Sequence, residues 1–387
     1  MLIAILGAFV IVPVISSIFV MFGIMQSTKY RKVYLVCISF MLAIIAYYLE
    51  PPTNFDLYRH HQVVIELQRL DWGQIFNYAL EEKEILRVLI MAIVAKIGNI
   101  DLLQFVVAFI GYSILFLIID DYAKRFNIKK WIFILCIAYI TFVSLNYINF
   151  ISGLWNYFAM IVFILGIYME YVLKCNKKLC YAIYLITPLI HISLLFMVIL
   201  KVVFSFAYKE KLNWKTLTIT AVIFIVPQLT INLLSHFSNI SLVSTIIKMY
   251  DSYFVNGSQF EVLHGGVNLA LALIRAAICI YMYTNLKNKE QLDKFTVLAL
   301  VTTLVLIINA GVFIRYVTMT DFMAIPLFMK YFSQTKTKGS LGQLFVICMI
   351  IFTIAMAGFK IKTVMPYNYG QLFNEKIFSN VITIFNK

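Results

Sequence analysis

Apolar residues in this chain come in long unbroken runs, without the regular polar interruptions that a water-facing helix or strand requires. The runs fall at residues 2–24, 33–49, 85–98, 101–119, 131–147, 150–173, 181–206, 216–234, 266–285, 295–313, 316–331 and 341–358. Most approach the ~20 residues that carry a helix across a bilayer. The pattern predicts an all-α, polytopic integral membrane protein with about 10–12 transmembrane or re-entrant helices. No repeat or linker divides the series, so residues 1–387 read as a single multi-span membrane domain. Polar residues break it at 50–84 and 235–265, which read as large outer loops, and in a shorter tail after Phe359. The first run, from Leu2, lacks a basic leader and a short apolar stretch ending in small residues. It reads as a first span rather than a cleaved signal.

Composition narrows the class. Hydrophobic residues make up 62% of the chain and charged residues 13%, against roughly 25% charged in a soluble domain. Mean hydropathy is +0.90. The net charge of +14 sits in short basic stretches, Lys29–Lys32, Lys124–Lys130, Lys174–Lys178, Lys209–Lys215, Lys287–Lys294 and Lys336–Lys338. The positive-inside rule places all of them in the cytoplasm, so the charge reports topology and no nucleic-acid partner is expected. Acids outnumber bases in 50–84, which puts that stretch outside. Cys136, Cys279 and Cys348 lie in apolar runs and read as small buried hydrophobes. Cys175 and Cys180 flank a lysine-rich turn, and nothing in the spacing of the six suggests a metal site, a disulfide framework or a cofactor.

Strict alternation of inside and outside fails between about residues 100 and 205. Segment 85–98 contains Arg87 and Lys96, and at ~1.5 Å per residue it is too short for a ~30 Å core. It reads as an interfacial or re-entrant helix on the outer side. Segment 181–206 has basic residues at both ends, which fits a hairpin of two half-helices bending near Pro188 and His191. Together the two restore the count.

That topology collects unusual polar groups on the outer face. Asp56, Arg59, His60 and His61 lie in the first large loop. Asn146, Asn149, Trp155 and Asn156 surround a short outer turn, His191 sits at the bend, His236 and His264 border the second loop, and Arg315 opens a late span. Ionisable groups at the membrane edge are costly and therefore functional candidates. Plainer readings stand beside these. His60 and His61 can be solvated, and adjacent helix positions point them apart, against a shared metal. Asp56 and Arg59 have the spacing of an intrahelical ion pair. His191 can be a satisfied structural histidine, and Arg315 a snorkelling anchor. Arg275, about ten residues into its run, must pair or face a cavity. Asp120-Asp121 reads as a solvated helix end beside Lys124 and Arg125. Phosphate-binding Gly-rich loops, HExxH pairs and GxSxG elbows are missing from the sequence, which argues against nucleotide hydrolysis.

Four stretches carry a resemblance: NFDLYRHHQ (Asn54–Gln62), FISGLWNYFAMIVFILGIYMEYVL, LIHISLLF with His191 and Ser193, and FIRYVTMTDFMAIPLF. In wording and in overall hydropathy the chain resembles the Wzy-type and EpsG-like polysaccharide polymerases of bacterial envelopes. One departure is Trp155, which stands where those relatives commonly have Arg; Arg59, Arg275 or Arg315 would then supply the charge. The resemblance implies a GT-C-like helical layout and a glycosyltransferase that joins undecaprenyl-diphosphate-linked oligosaccharide repeat units into O-antigen, capsular or exopolysaccharide. The site would face the periplasm or exterior from the cell membrane. It implies Asp56, His191 and Arg315 as catalytic groups, and Arg59, His60, His61, Asn149, Trp155, Asn156 and Arg275 as substrate-binding ones. It implies no metal or other cofactor. Membrane lipid, a chain-length regulator and a flippase are the implied partners besides the lipid-linked sugar. The competing expectations are an O-antigen ligase or other lipid-linked glycosyltransferase, then a lipid-linked sugar flippase, for which the expected repeats are not visible, and third a polysaccharide acyltransferase.

Overall fold

The structure, a computed structural model, describes residues 2–26, 29–51, 56–141, 153–222, 265–306, 310–334 and 376–385, with Thr53 and a few positions in 347–355. Among the described residues all regular structure is helical. The chain divides into two compact units, Met1–Leu195 with Ile347–Lys387, and Phe196–Val346.

The first unit begins with α1 (Leu2–Ile11) and α2 (Pro13–Gln26), where one span was expected. Pro13 cannot donate its backbone nitrogen. The bonds Val12 N to Ala8 O (2.8 Å) and Ser16 N to Val12 O (3.0 Å) carry the helix past the break. Helix α3 (Arg31–Tyr47) packs along α7 (Leu102–Arg125). Their contact is locked at one end by a buried ion pair between Arg31 and Asp120. Lys124 Nζ reaches the same carboxylate at 2.7 Å, and the Arg31 guanidinium lies 4.2 Å from the centre of the Phe133 ring. Asp120 is therefore fully buried and not part of a solvated helix end, which corrects the sequence reading. Asp121 does face outward, paired with Arg125 and accepting the Tyr168 hydroxyl at 2.7 Å. Near the other end, Tyr47 Oη donates to the Phe385 carbonyl (2.8 Å) and Tyr48 Oη to that of Ile384, which ties the C-terminal residues to this unit.

Within the stretch 50–84 expected as an outer loop, the described residues form two helices. Apolar side chains at Leu57, Val64 and Leu67, with His61, bury one face of α4 (Asp56–Arg69). Helix α5 (Trp72–Glu82) starts at a reciprocal capping box: Asp71 accepts from Gln74 N at 2.8 Å, and Gln74 accepts from Asp71 N at 3.0 Å. Lys83, with φ of 63°, turns the chain into α6 (Ile85–Ile97), which ends at Gly98 with φ of 84°. Both α4 and α5 pack on α6.

Helix α8 (Lys130–Tyr139) leads to α9 (Leu154–Tyr171) and α10 (Lys177–Ile190). Gly166 of α9 admits the Tyr184 ring; a Cβ there would lie 2.6 Å from Tyr184 Cε1. Tyr184 Oη bonds Glu170 at 2.6 Å. Pro188 deprives the Tyr184 carbonyl of its helical donor, and Thr187 Oγ1 bonds that oxygen instead at 2.7 Å. Three residues later the helix stops. His191 is extended (φ −152°, ψ 119°) and is followed by a short 3-10 turn, Ile192–Leu194. The break thus falls where the sequence placed a bend.

In the second unit, the residues of α11 (Leu195–Phe206) after Leu195 are followed by α12 (Gly265–Thr284), α13 (Gln291–Val305) and α14 (Ala310–Gln334), the last three packing on one another. Arg275 finds its partner here in Asp321, 3.0 Å away. Lys330 pairs with Asp293 at 2.6 Å and with Glu290 at 3.4 Å. Cys136 and Cys279 are buried as expected, whereas Cys348 is exposed.

Among the described residues two helices, α7 and α9, are long and apolar enough to cross a membrane by length and composition. Helix α6, with 13 residues, extends about 20 Å at 1.5 Å per residue, as its sequence implied.

Candidate functional site

Polar groups from four separate segments meet in the first unit. At the helix break, the imidazole of His191 folds back on the turn that follows it: Nδ1 accepts from Ser193 N at 3.3 Å and lies 2.8 Å from Ser193 Oγ. The Ser193 hydroxyl donates to Asn156 Oδ1 of α9 at 2.9 Å. Glu84, just before α6, accepts the Ile192 N–H on Oε1 at 2.9 Å, and the same oxygen stands 4.0 Å from His191 Nδ1. The break leaves backbone donors without helical partners, and Glu84 takes one of them. Its other oxygen is 2.6 Å from Arg87 Nη1, while Arg87 Nη2 lies 2.7 Å from Glu82. The sequence therefore builds a chain of contacts from Asn156 through Ser193, His191 and Glu84 to Arg87.

His60 of α4 presents its ring edge-on to the buried indole of Trp155, centroids 6.2 Å apart. Trp155 Nε1 and Arg87 Nε are buried donors without a hydrogen-bond acceptor among the described residues. Burial, reinforced by the charges of Arg87, Arg59 and neighbouring His61, holds the His60 ring far below its usual value, down to about 3. His60 is thus neutral at pH 7. Burial pushes the Glu84 carboxyl up; Arg87 and the Ile192 N–H oppose it, and Glu82 adds to it. A carboxylate that is desolvated yet held by a guanidinium and an amide is suited to accommodate a proton arriving at His191.

The EpsG family model matches residues 32–369, nearly the whole chain. This chain belongs to the EpsG family. No curated protein and no solved structure matches it. EpsG membership fits a polysaccharide polymerase in general terms, and a membrane protein.

Within this EpsG-family chain the expected site residues separate. His60, Trp155, Asn156 and His191 take part in the arrangement. His61 turns away from His60 and bonds Gln104 of α7 at 3.0 Å, as adjacent helix positions require. Asp56 and Arg59 form the intrahelical pair that their spacing suggested, on an exposed face. Arg275 belongs to the second unit with Asp321. Arg315 lies on α14, but its side chain, like Asn149, Asn146, His236 and His264, is outside the described residues.

Sequence reasoning passed over Glu84 and Arg87. In the sequence Arg87 argues only that 85–98 does not cross. A guanidinium inside an apolar run carries a large desolvation cost, and the question it poses is which carboxylate meets it. Glu84, three residues earlier, was the available answer.

Proposed function

We propose that this EpsG-family chain is a multi-span membrane glycosyltransferase that joins undecaprenyl-diphosphate-linked repeat units, with its reaction centre at the Asn156–Ser193–His191–Glu84–Arg87 arrangement. The observation that carries the proposal is the convergence of these groups at a helix break, in a chain matching the EpsG family over nearly its full length.

In the reaction, a sugar hydroxyl of one unit attacks the anomeric carbon of the other, and the bond from that carbon to the diphosphate oxygen breaks. The hydroxyl proton passes to His191, the proposed general base. Protonated, Nδ1 no longer accepts from Ser193 N and instead donates toward Ser193 Oγ at 2.8 Å, with the Glu84 Oε1 charge at 4.0 Å. The departing diphosphate gains negative charge and needs fixed cations. Arg87 is the proposed one, because it already stands in the arrangement; Arg315 belongs to the second unit and its side chain is outside the described residues. Neutral His60 borders the uncharged sugar. Asp56, exposed and neutralised by Arg59, is the weaker candidate base.

The reaction would take place at the outer face of the cell membrane, with the basic loops inside. A reporter fused at residue 127 should read cytoplasmic; an external signal would overturn this topology. Deleting the gene should leave single lipid-linked repeat units where polymer was made, and persistence of full-length polymer would exclude the polymerase reading. Unpolymerised units, in place of polymer lacking only its attachment to an acceptor, would separate a polymerase from a ligase.

A further inference from the structure

Helix α5 carries an apolar face that the protein covers only in part. At 100° per residue, Ile75, Ala79, Trp72, Phe76 and Leu80 follow one another around an arc of roughly 140°. Ile75 and Ala79, at one edge of the arc, are buried. Trp72, Phe76 and Leu80, at the other, are 55%, 52% and 50% exposed. The remaining positions are polar or glycine, and Glu81 falls roughly 140° from Phe76, on the opposite side.

The neighbouring helix extends this open edge. Lys96 Nζ donates to Leu70 O at 2.5 Å and to Gln68 O at 3.3 Å. This brings the end of α6 beside the start of α5, where Ile93 and Ile97 are also exposed. Five large apolar side chains of the two packed helices are therefore exposed, with exposed cations near the helix ends: Arg69 and Lys96 towards the Trp72 end of α5, Lys83 at the Leu80 end. Bulky apolar groups framed by a tryptophan and by lysine or arginine are what a lipid headgroup boundary accommodates.

We infer that the open edge of the α5–α6 pair seats in the headgroup–acyl boundary of the leaflet bordering the candidate site. Trp72, Phe76, Leu80, Ile93 and Ile97 meet acyl chains, and Arg69, Lys83 and Lys96 meet lipid phosphates. The inference rests on the reading of the chain as a membrane protein. It places part of the outer loop expected at 50–84 against the membrane, and it gives the seat a purpose. Glu82, Glu84 and Arg87 lie on the same helix pair, so its depth sets the height of the site relative to the phosphates of a lipid-linked substrate.

The test uses the full chain with Cys37, Cys175 and Cys348 replaced by serine, reconstituted in phosphatidylethanolamine–phosphatidylglycerol vesicles. Single cysteines from Phe76→Cys, Asn77→Cys or Ile110→Cys carry an environment-sensitive fluorophore. Quenching by shallow nitroxide-labelled lipid is compared with quenching by aqueous iodide. The expected result is that position 76 is quenched severalfold more by lipid than by iodide, position 77 the reverse, and position 110 on α7 by lipid alone. Iodide access at 76 equal to that at 77, with 110 still quenched by lipid, overturns the inference alone. Protection of 76 from both quenchers overturns it in favour of a protein occupant such as a second copy. Loss of lipid quenching at 110 overturns the membrane reading beneath it.

Discussion

His60 offers a test with a worked magnitude. Its ring is packed against Trp155, and burial, reinforced by the charges of Arg87 and Arg59, holds its folded-state value down to about 3 from an ordinary value of 6.5. As pH falls below 6.5, the unfolded chain takes up a proton that the folded chain refuses, so stability is lost on acidification. Each pH unit in that window is worth about 1.4 kcal/mol. Between pH 7.5 and 5.0 the loss is about 2 kcal/mol, or about thirtyfold in the folded-to-unfolded ratio. Glu84 acts in the opposite sense: its raised carboxyl takes a proton more readily in the folded state, so its contribution grows as pH falls. Comparing wild type with His60→Gln at each pH removes that common background. Equilibrium denaturation in detergent micelles at pH 7.5, 6.5 and 5.0 would read it out. At pH 7.5 the variant should be less stable by about 1 kcal/mol, the value of an edge-on aromatic contact. By pH 5.0 it should match or exceed wild type. Parallel pH profiles for the two proteins would refute the reasoning, because they would mean that the folded chain lets His60 protonate freely.

Further predictions address the site and the fold. Glu84→Gln keeps an acceptor for Ile192 N but removes the charge facing Arg87 and His191. Polymer formation should fall by about 100-fold, the usual scale of a lost acid–base partner, with lipid-linked single units accumulating; Glu82→Gln, at a more exposed carboxylate, should change it little, and equal effects would argue against a special role for Glu84. Asp120→Asn leaves Arg31 buried without its counter-charge and should cost about 3–5 kcal/mol in denaturation experiments. Arg125→Ala, at an exposed pair, should cost about 1 kcal/mol or less. Gly166→Ala drives a methyl into the Tyr184 ring and should cost about 1–3 kcal/mol; combined with Tyr184→Leu, the two losses should fall short of additive.

Hydropathy and local chemistry carried much of the architecture. The all-helical character, the shortness of 85–98 and the break at His191 follow from run length, a proline and the charges that flank them, because backbone groups in an apolar run must satisfy one another along the helix. The Asp56–Arg59 pair and the divergence of His60 from His61 follow equally from helical spacing. Within the polar stretch 50–84, apolar positions at three- and four-residue intervals are enough to fold α4 and α5 against α6. What misled was exposure. Asp120 read as solvated because Lys124 and Arg125 follow it, but Arg31, 89 residues away, buries it.

The sequence by itself determined that the chain is helical, that 85–98 is short, that a break falls near His191, and that charged groups stand at costly positions, since these depend on neighbours within a turn or two. Only the tertiary structure decided which of those charges meet. Arg275 needed Asp321, Asp120 needed Arg31, and Glu84 needed the N–H released at Ile192, 108 residues on. A buried ion is tolerated only where a partner from another segment reaches it, and that pairing depends on packing between distant segments, which local spacing does not encode.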